Sequence, residues 1–176
     1  DAQAETVTFT FAREVPPGPA TLYAGFHGTL NDQLRGFYRT KYTAPDGTAH
    51  LGASTQFEAT DARRAFPCWD DPAVKATFQL TLAIPAGLTA ISNTLPESET
   101  AGQAGLRVIK FKKTPRMSTY LLVFVVGDYA CVEAPAPGGT LVRVWAPRGT
   151  EQHGRFALEN SVRLLAYMTD YFRVPY

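Results

Sequence analysis

The stretch TQFEATDARRAFPCWDDP, residues 55–72, holds the densest group of side chains able to do chemistry. Gln56 and Glu58 stand two residues apart, so on an extended segment their side chains share one face. A carboxylate beside an amide can bind a cationic amine through charge-assisted hydrogen bonds. On spacing alone, however, a pair of solvated strand residues is the simpler explanation.

The second half of this stretch predicts scaffold rather than catalysis. Asp70 and Asp71 are adjacent, so on a strand they would point to opposite faces and could not work as one acid/base pair. Because Pro72 follows them, we expect a turn in which the aspartates cap backbone amides. The same acids should raise the pKa of Cys68 and disfavour its thiolate, which predicts a structural cysteine. A carboxylate-based hydrolase therefore has little support.

No metal or nucleophile motif is found elsewhere. The histidines, His27, His50 and His153, are isolated in sequence and none lies in an H-E-x-x-H context, so we expect no metal site in this chain. A G-x-S-x-G nucleophile motif is missing as well. We accordingly predict no catalytic residue in the chain.

Composition restricts the class of protein. The length of 176 residues suits a domain with a real core, and a net charge of +1 gives no electrostatic case for nucleic acid or an anionic membrane. No stretch approaches the roughly 20 apolar residues that span a bilayer, and the start lacks the features of a signal peptide. Two cysteines, Cys68 and Cys131, suit a reducing compartment, so we expect two buried free thiols and a cytoplasmic location.

The elements that must position these residues are mainly strands. Period-two alternation or enrichment in β-branched and aromatic residues predicts strands at 6–11, 20–26, 36–42, 76–84, 106–111, 119–126 and 141–145. Turn-forming residues separate them, at 16–19, 45–47, 85–87 and 134–139. Many short strands with frequent Gly and Pro turns predict an antiparallel, saddle-like β-sandwich.

One helix follows the strands. In residues 151–172, apolar side chains recur at helical spacing, although Gly154 weakens the first turn. Val174 and Pro175 should end the helix, because proline disfavours helix in the residue before it. The apolar face of this C-terminal α-helix needs a partner.

The motif at 55–72, with the following AVKATFQLTLAIP, closely resembles the N-terminal domain of gluzincin zinc aminopeptidases of the puromycin-sensitive and aminopeptidase N type. Further segments agree in order, at 28–42, 92–94, 114–129, 142–149 and 157–176. The resemblance spans nearly the whole chain. It implies a β saddle followed by a thermolysin-like zinc domain.

The resemblance also implies a division of the chain. The family's G-A-M-E-N and H-E-x-x-H motifs lie downstream of a V-P-Y segment like the one at 174–176, and neither occurs here. We therefore expect residues 1–148 to be the N-terminal saddle domain and residues 149–176 to be the opening helix of a truncated catalytic domain. Zinc would belong to the full-length parent, and this fragment alone is expected to be inactive.

The resemblance gives Gln56 and Glu58 a role that their spacing did not. In the family, the glutamate at the T-Q-F-E position binds the substrate's free α-amino group, and the glutamine helps to line the pocket for the first side chain. The expected partners are thus peptide N-termini and the missing catalytic domain. The alternative is a stand-alone β-sandwich module for protein or carbohydrate recognition.

Overall fold

The structure, a computed structural model, describes residue 1 and residues 3–176. Within them the chain is mostly β and ends in one α-helix, as predicted, and every strand pairing is antiparallel. The elements are β1 Gly36–Thr43, β2 Ala49–Gln56, β3 Lys75–Ala76, β4 Thr81–Pro85, β5 Thr89–Ser92, β6 Pro96–Ala101, β7 Leu106–Phe111, β8 Met117–Ser118, β9 Phe124–Gly127, β10 Tyr129–Pro135, β11 Leu141–Pro147 and α1 Arg155–Phe172. Short 3₁₀ helices lie at Ala62–Arg64, Thr119–Leu121 and Glu151–Gly154.

The strands form one larger sheet and three smaller ones. The larger sheet has the order β1-β2-β9-β5, and the smaller sheets are β4-β7-β6, β10-β11 and β3-β8. β1 and β2 form a hairpin whose register runs from Gly36 opposite Gln56 to Thr43 opposite Ala49. Its turn contains the predicted Pro45-Asp46-Gly47 sequence, where the Asp46 carboxylate accepts a hydrogen bond from the Thr48 amide at 2.9 Å.

A cluster of aromatic side chains forms the core beneath the larger sheet. Phe57, which directly follows β2, is 2% exposed and packs with Ala62, Leu122 and Phe124. Its ring lies 5.9 Å from the ring of Phe66 and 6.2 Å from that of Phe124, both in edge-to-face geometry. The end of β2 and the 3₁₀ helix Ala62–Arg64 are therefore fixed to the same core.

The strands predicted at 6–11 and 20–26 are wrong, because no strand precedes β1 in the described residues. Their apolar side chains, including Val7, Phe9 and Phe11, are exposed. Alternation of apolar and polar side chains reports which face could be buried, but a strand also needs hydrogen bonds from a neighbouring strand. No described segment supplies those bonds here.

The predicted strands at 36–42, 106–111 and 141–145 are confirmed, and those at 76–84 and 119–126 are confirmed only in part. In the last of these, residues 119–121 form a 3₁₀ helix before β9 begins. Five observed strands had not been predicted from the sequence: β2, β5, β6, β8 and β10.

The helix is confirmed, with a modified first turn. The segment Glu151–Gly154 is 3₁₀, and α1 then runs to Phe172, after which Arg173 adopts a left-handed conformation with φ of 56°. A Cβ at Gly154 would lie 2.8 Å from Val144, so the glycine permits the close approach of this turn to β11. Leu158 is the buried residue of α1, which packs against β10 and β11.

The opposite side of α1 is exposed and apolar. The exposed residues include Phe156, Leu164, Tyr167, Met168, Tyr171 and Phe172. In the part of the chain that the structure describes, a helix with the length and hydropathy of a membrane span is not found.

Candidate functional site

The end of β2 presents Gln56 and Glu58 on one exposed face. Burial alternates along this segment: Thr55 and Phe57 are buried, whereas Gln56 and Glu58 are exposed. Thr55 is fixed by β9, because the Thr55 hydroxyl accepts a hydrogen bond from the backbone amide of Phe124 at 3.0 Å. The alternation expected from a period of two is therefore seen in the burial of residues 55–58, although β2 ends at Gln56 and Glu58 already lies in the turn that follows.

The Glu58 carboxylate has no ion-pair partner within the part of the chain that the structure describes. The side-chain amide of Gln56 donates a hydrogen bond to the backbone carbonyl oxygen of Glu58 at 3.4 Å. A cis peptide bond joins Glu58 to Ala59. An exposed, uncompensated carboxylate beside an amide is chemically suited to bind a cationic amine.

Asp70, by contrast, is enclosed. Its side chain is 3% exposed, and its Oδ2 atom accepts from the Arg63 backbone amide at 3.1 Å and from Arg63 Nε at 3.0 Å. The Oδ1 atom accepts from the Thr119 hydroxyl at 3.0 Å. Asp70 caps a backbone amide, as expected, but that amide belongs to Arg63 in the 3₁₀ helix and not to the turn at Pro72. The bond from Thr119, 49 residues away in sequence, was not anticipated.

Asp71 is exposed and caps the next turn, since its Oδ1 atom accepts from the Ala73 amide at 2.8 Å. The two aspartates therefore have separate partners, and no acid/base dyad is formed. This outcome agrees with the expectation that residues 63–72 are scaffold.

Cys68 and Cys131 are free, as expected, but both are half-buried rather than buried. Burial, with a smaller contribution from the charge of Asp70, raises the pKa of Cys68 to about 11. Burial also raises the pKa of Cys131, with Glu133 adding to the effect. A thiol whose pKa is raised is a poor nucleophile at neutral pH, so the structural interpretation of Cys68 is supported.

In the described residues, no group of three or more His, Cys, Asp or Glu side chains could hold a metal ion. His50 stacks on Tyr42, with ring centroids 5.3 Å apart. The residues present do not fit a zinc site, and no chemical step through zinc can be derived from them.

An apolar cavity of about 460 Å³ lies between residues 26–30 and the aromatic core, and its lining includes Phe37, Phe66 and Phe124. Gln56 and Glu58 do not line it. The pair therefore belongs to an open surface, which needs a second surface before it can enclose a ligand.

Comparison with known proteins identifies the chain's relatives. The family described as peptidase M1 N-terminal domain matches residues 1–121. Aminopeptidase M1-B of Oryza sativa subsp. japonica is 45% identical over 172 residues, which cover 98% of this chain and 19% of that protein.

Two further relatives show the same pattern. Aminopeptidase N of Acetobacter pasteurianus is 43% identical over 176 residues, covering 100% of this chain and 49% of that protein. Puromycin-sensitive aminopeptidase of Caenorhabditis elegans is 38% identical over 177 residues, covering 100% and 19%. The chain thus spans about a fifth of the rice and nematode relatives. These matches do not favour a stand-alone binding module.

Proposed function

Because this chain belongs to the peptidase M1 N-terminal domain family, we propose that it recognises the substrate amine for a zinc aminopeptidase that removes N-terminal residues from peptides. The relatives named aminopeptidase match the chain along nearly its whole length, which supports a peptidase parent. The chain's own contribution is to bind and orient the substrate.

The observation that carries this proposal is the exposed pair Gln56 and Glu58 at the end of β2. The Glu58 carboxylate binds the free α-ammonium group of a peptide, and Gln56 lines the pocket for the first side chain. A peptide whose amino end is blocked has no positive charge for this carboxylate. Discrimination between free and blocked peptides follows, because a polar site loses its partner when the substrate lacks the matching group.

Zinc belongs to a part of the full-length polypeptide outside residues 1–176. In that parent the metal would activate water for attack on the first peptide bond, and this chain alone is inactive. The lack of a suitable ligand group among the described residues supports this placement.

The catalytic domain is the proposed partner of the chain. Residues 1–148 form the saddle domain, and residues 149–176 are the opening helix of the catalytic domain. The exposed apolar side of α1 supports this division, since an aromatic face of that kind is normally covered by another surface. The two unpaired cysteines support a cytoplasmic location.

The test is substitution of Glu58 by Gln in the full-length enzyme. Loss of one charge-assisted hydrogen bond, worth about 1.5–3 kcal/mol, should lower kcat/KM for unblocked aminoacyl substrates by about 10–100-fold. Steady-state kinetics measures the change. Glu14→Gln is the matched control, because Glu14 is also exposed and lies outside the hairpin. Unchanged kinetics in Glu58→Gln would remove the assigned role.

A further inference from the structure

We propose that Asp70 is a positioning residue for amine recognition: its buried carboxylate, acting through Arg63, fixes the link of residues 58–61 that carries Glu58. The inference rests on the proposed role of Glu58, but its structural part can be tested separately. Asp70 touches no substrate in this proposal. It acts through another residue.

The link is anchored at its N-terminal end by β2. Phe57 is packed among Phe66 and Phe124, and Thr55 is bonded to β9 through Phe124. Glu58 is the first residue beyond this anchor. Its backbone position is therefore set on one side by a core that cannot shift without opening a cavity.

The link is anchored at its C-terminal end by the 3₁₀ helix Ala62–Arg64. Ala62 is completely buried, and the Asp61 amide donates back to the Phe57 carbonyl at 2.9 Å, which closes the link on itself. Nothing in the 3₁₀ helix itself caps its first turn, since Asp61 makes no side-chain capping bond. The Arg63 amide is capped from outside, by Asp70.

Asp70 holds Arg63 at three points. Its Oδ2 atom accepts from the backbone amide and from Nε, and its carbonyl oxygen accepts from Nη2 at 3.2 Å. The second carboxylate oxygen accepts from Thr119. Thr119 stands at the start of the 3₁₀ helix that leads to the core residue Leu122. The carboxylate thus ties three chain segments together.

Burial strengthens the hydrogen bonds of the Asp70 carboxylate and makes its substitution costly. The carboxylate is almost wholly shielded from water, so its hydrogen bonds are strengthened and its loss leaves donors unpaired. The second ion pair of Arg63, to Glu5 at 3.2 Å, is much more exposed. Asp70 is therefore the partner that determines where Arg63, and with it the end of the link, is held.

The experiment compares Asp70→Asn with Asp71→Asn in the full-length enzyme. Asp70→Asn keeps the size of the side chain but loses the charge, so KM for free-amine substrates should rise about 3–10-fold, with a smaller change in kcat. Substrate analogues lacking the α-amino group should be bound and turned over unchanged. Asp71→Asn should leave both substrate classes unaffected, since Asp71 caps only the turn that follows.

A double-mutant cycle separates positioning from general stability. In a Glu58→Ala background, Asp70→Asn should have no further effect on KM, because the group it positions has been removed. An equal loss with both substrate classes, or a full additional loss in the Glu58→Ala background, would overturn the inference. If Glu58→Ala alone has no effect, the proposed function fails instead.

Amide hydrogen exchange tests the structural step without any substrate. Exchange at Asp61 and Arg63 should become faster in Asp70→Asn and stay unchanged in Asp71→Asn; equal exchange in both would overturn the inference. If Asp70→Asn does not fold, Thr119→Val and Thr119→Ser repeat the comparison. The serine variant keeps the hydroxyl that donates to Asp70 and should retain the wild-type KM, whereas the valine variant should show the raised KM.

Discussion

Glu58 and Asp70 are carboxylates of one short motif, yet they differ in exposure and in hydrogen bonding. Glu58 is exposed and unpaired among the described residues, so its charge is available to a ligand. Asp70 is shielded, and each of its oxygens already accepts a hydrogen bond. Residue type alone could not separate them, because the difference lies in what the fold places around each group.

The raised pKa of Cys68 should be visible in its reactivity. Its pKa of about 11 leaves about one thiol in a thousand ionised at pH 8, so alkylation by iodoacetamide should be slow and should still accelerate between pH 9 and pH 10. A small free thiol levels off in that interval. Mass spectrometry of the peptide containing Cys68 measures the rate.

Asp70→Asn supplies the control for this prediction. Removing the charge that contributes to the raised pKa should speed alkylation of Cys68, although burial, the larger cause, remains. A rate at pH 8 equal to that of a small free thiol would contradict the raised pKa.

Gly36 lies where the β1–β2 hairpin packs against the 3₁₀ helix Ala62–Arg64. It pairs with Gln56 in the hairpin register and has φ of +67°. A Cβ at this position would lie 2.8 Å from the Cβ of Arg64. The strand and the 3₁₀ helix can therefore approach each other only because this residue has no side chain.

Gly36→Ala should destabilise the chain more than Gly47→Ala. Both glycines have positive φ, so in both variants backbone strain should lower the free energy of unfolding by about 1 kcal/mol. A Cβ at Gly47 would meet open space, whereas a Cβ at Gly36 would clash with Arg64. The clash should lower the free energy of unfolding of Gly36→Ala by about 1–3 kcal/mol more. Urea unfolding measures the two free energies. Equal losses would show that the close contact yields without cost.

The strands that sequence predicted best are those whose own composition favours strand. β7, with Leu106, Val108 and Ile109, matches its prediction at both ends. β2 was missed because AHLGASTQ is rich in small and polar residues of low strand propensity, and its strand state comes from pairing with β1 and β9. The strand predicted at residues 6–11 was wrong for the opposite reason. These residues alternate between polar and apolar side chains, but no described strand pairs with them.

The candidate site was predictable only in part. The exposure of both Gln56 and Glu58 follows from their spacing, and the capping of the Ala73 amide by Asp71 follows from its turn context. The bond from Thr119 and the burial of Asp70 depend on contacts between segments distant in sequence. Local patterns hold no information on such contacts.

In the complete fold, the two sides of α1 have different surroundings. One side packs through Leu158 against β10 and β11, and the other presents aromatic residues to solvent. The chain spans about a fifth of the rice and nematode relatives, so most of their length has no counterpart in it. Both facts agree with a domain that works as part of a larger polypeptide.

Residues 1–176 alone should bind zinc only weakly and should not hydrolyse aminoacyl arylamides, because residue 1 and residues 3–176 contain no convergent group of metal ligands. Elemental analysis after gel filtration and a sensitive arylamidase assay measure both properties. The full-length polypeptide, for which we propose aminopeptidase activity, is treated in the same way as the control. One tightly held zinc per chain, or turnover above background, would show that the active centre lies within these residues.

Residues 58–61 connect two buried points, Phe57 and Ala62, so the length of this segment limits the positions that the Glu58 carboxylate can take. If Glu58 binds the substrate amine, the position of its carboxylate determines which peptide bond of the substrate reaches the catalytic groups. Inserting or deleting one residue here would then change the cleavage position rather than the rate alone.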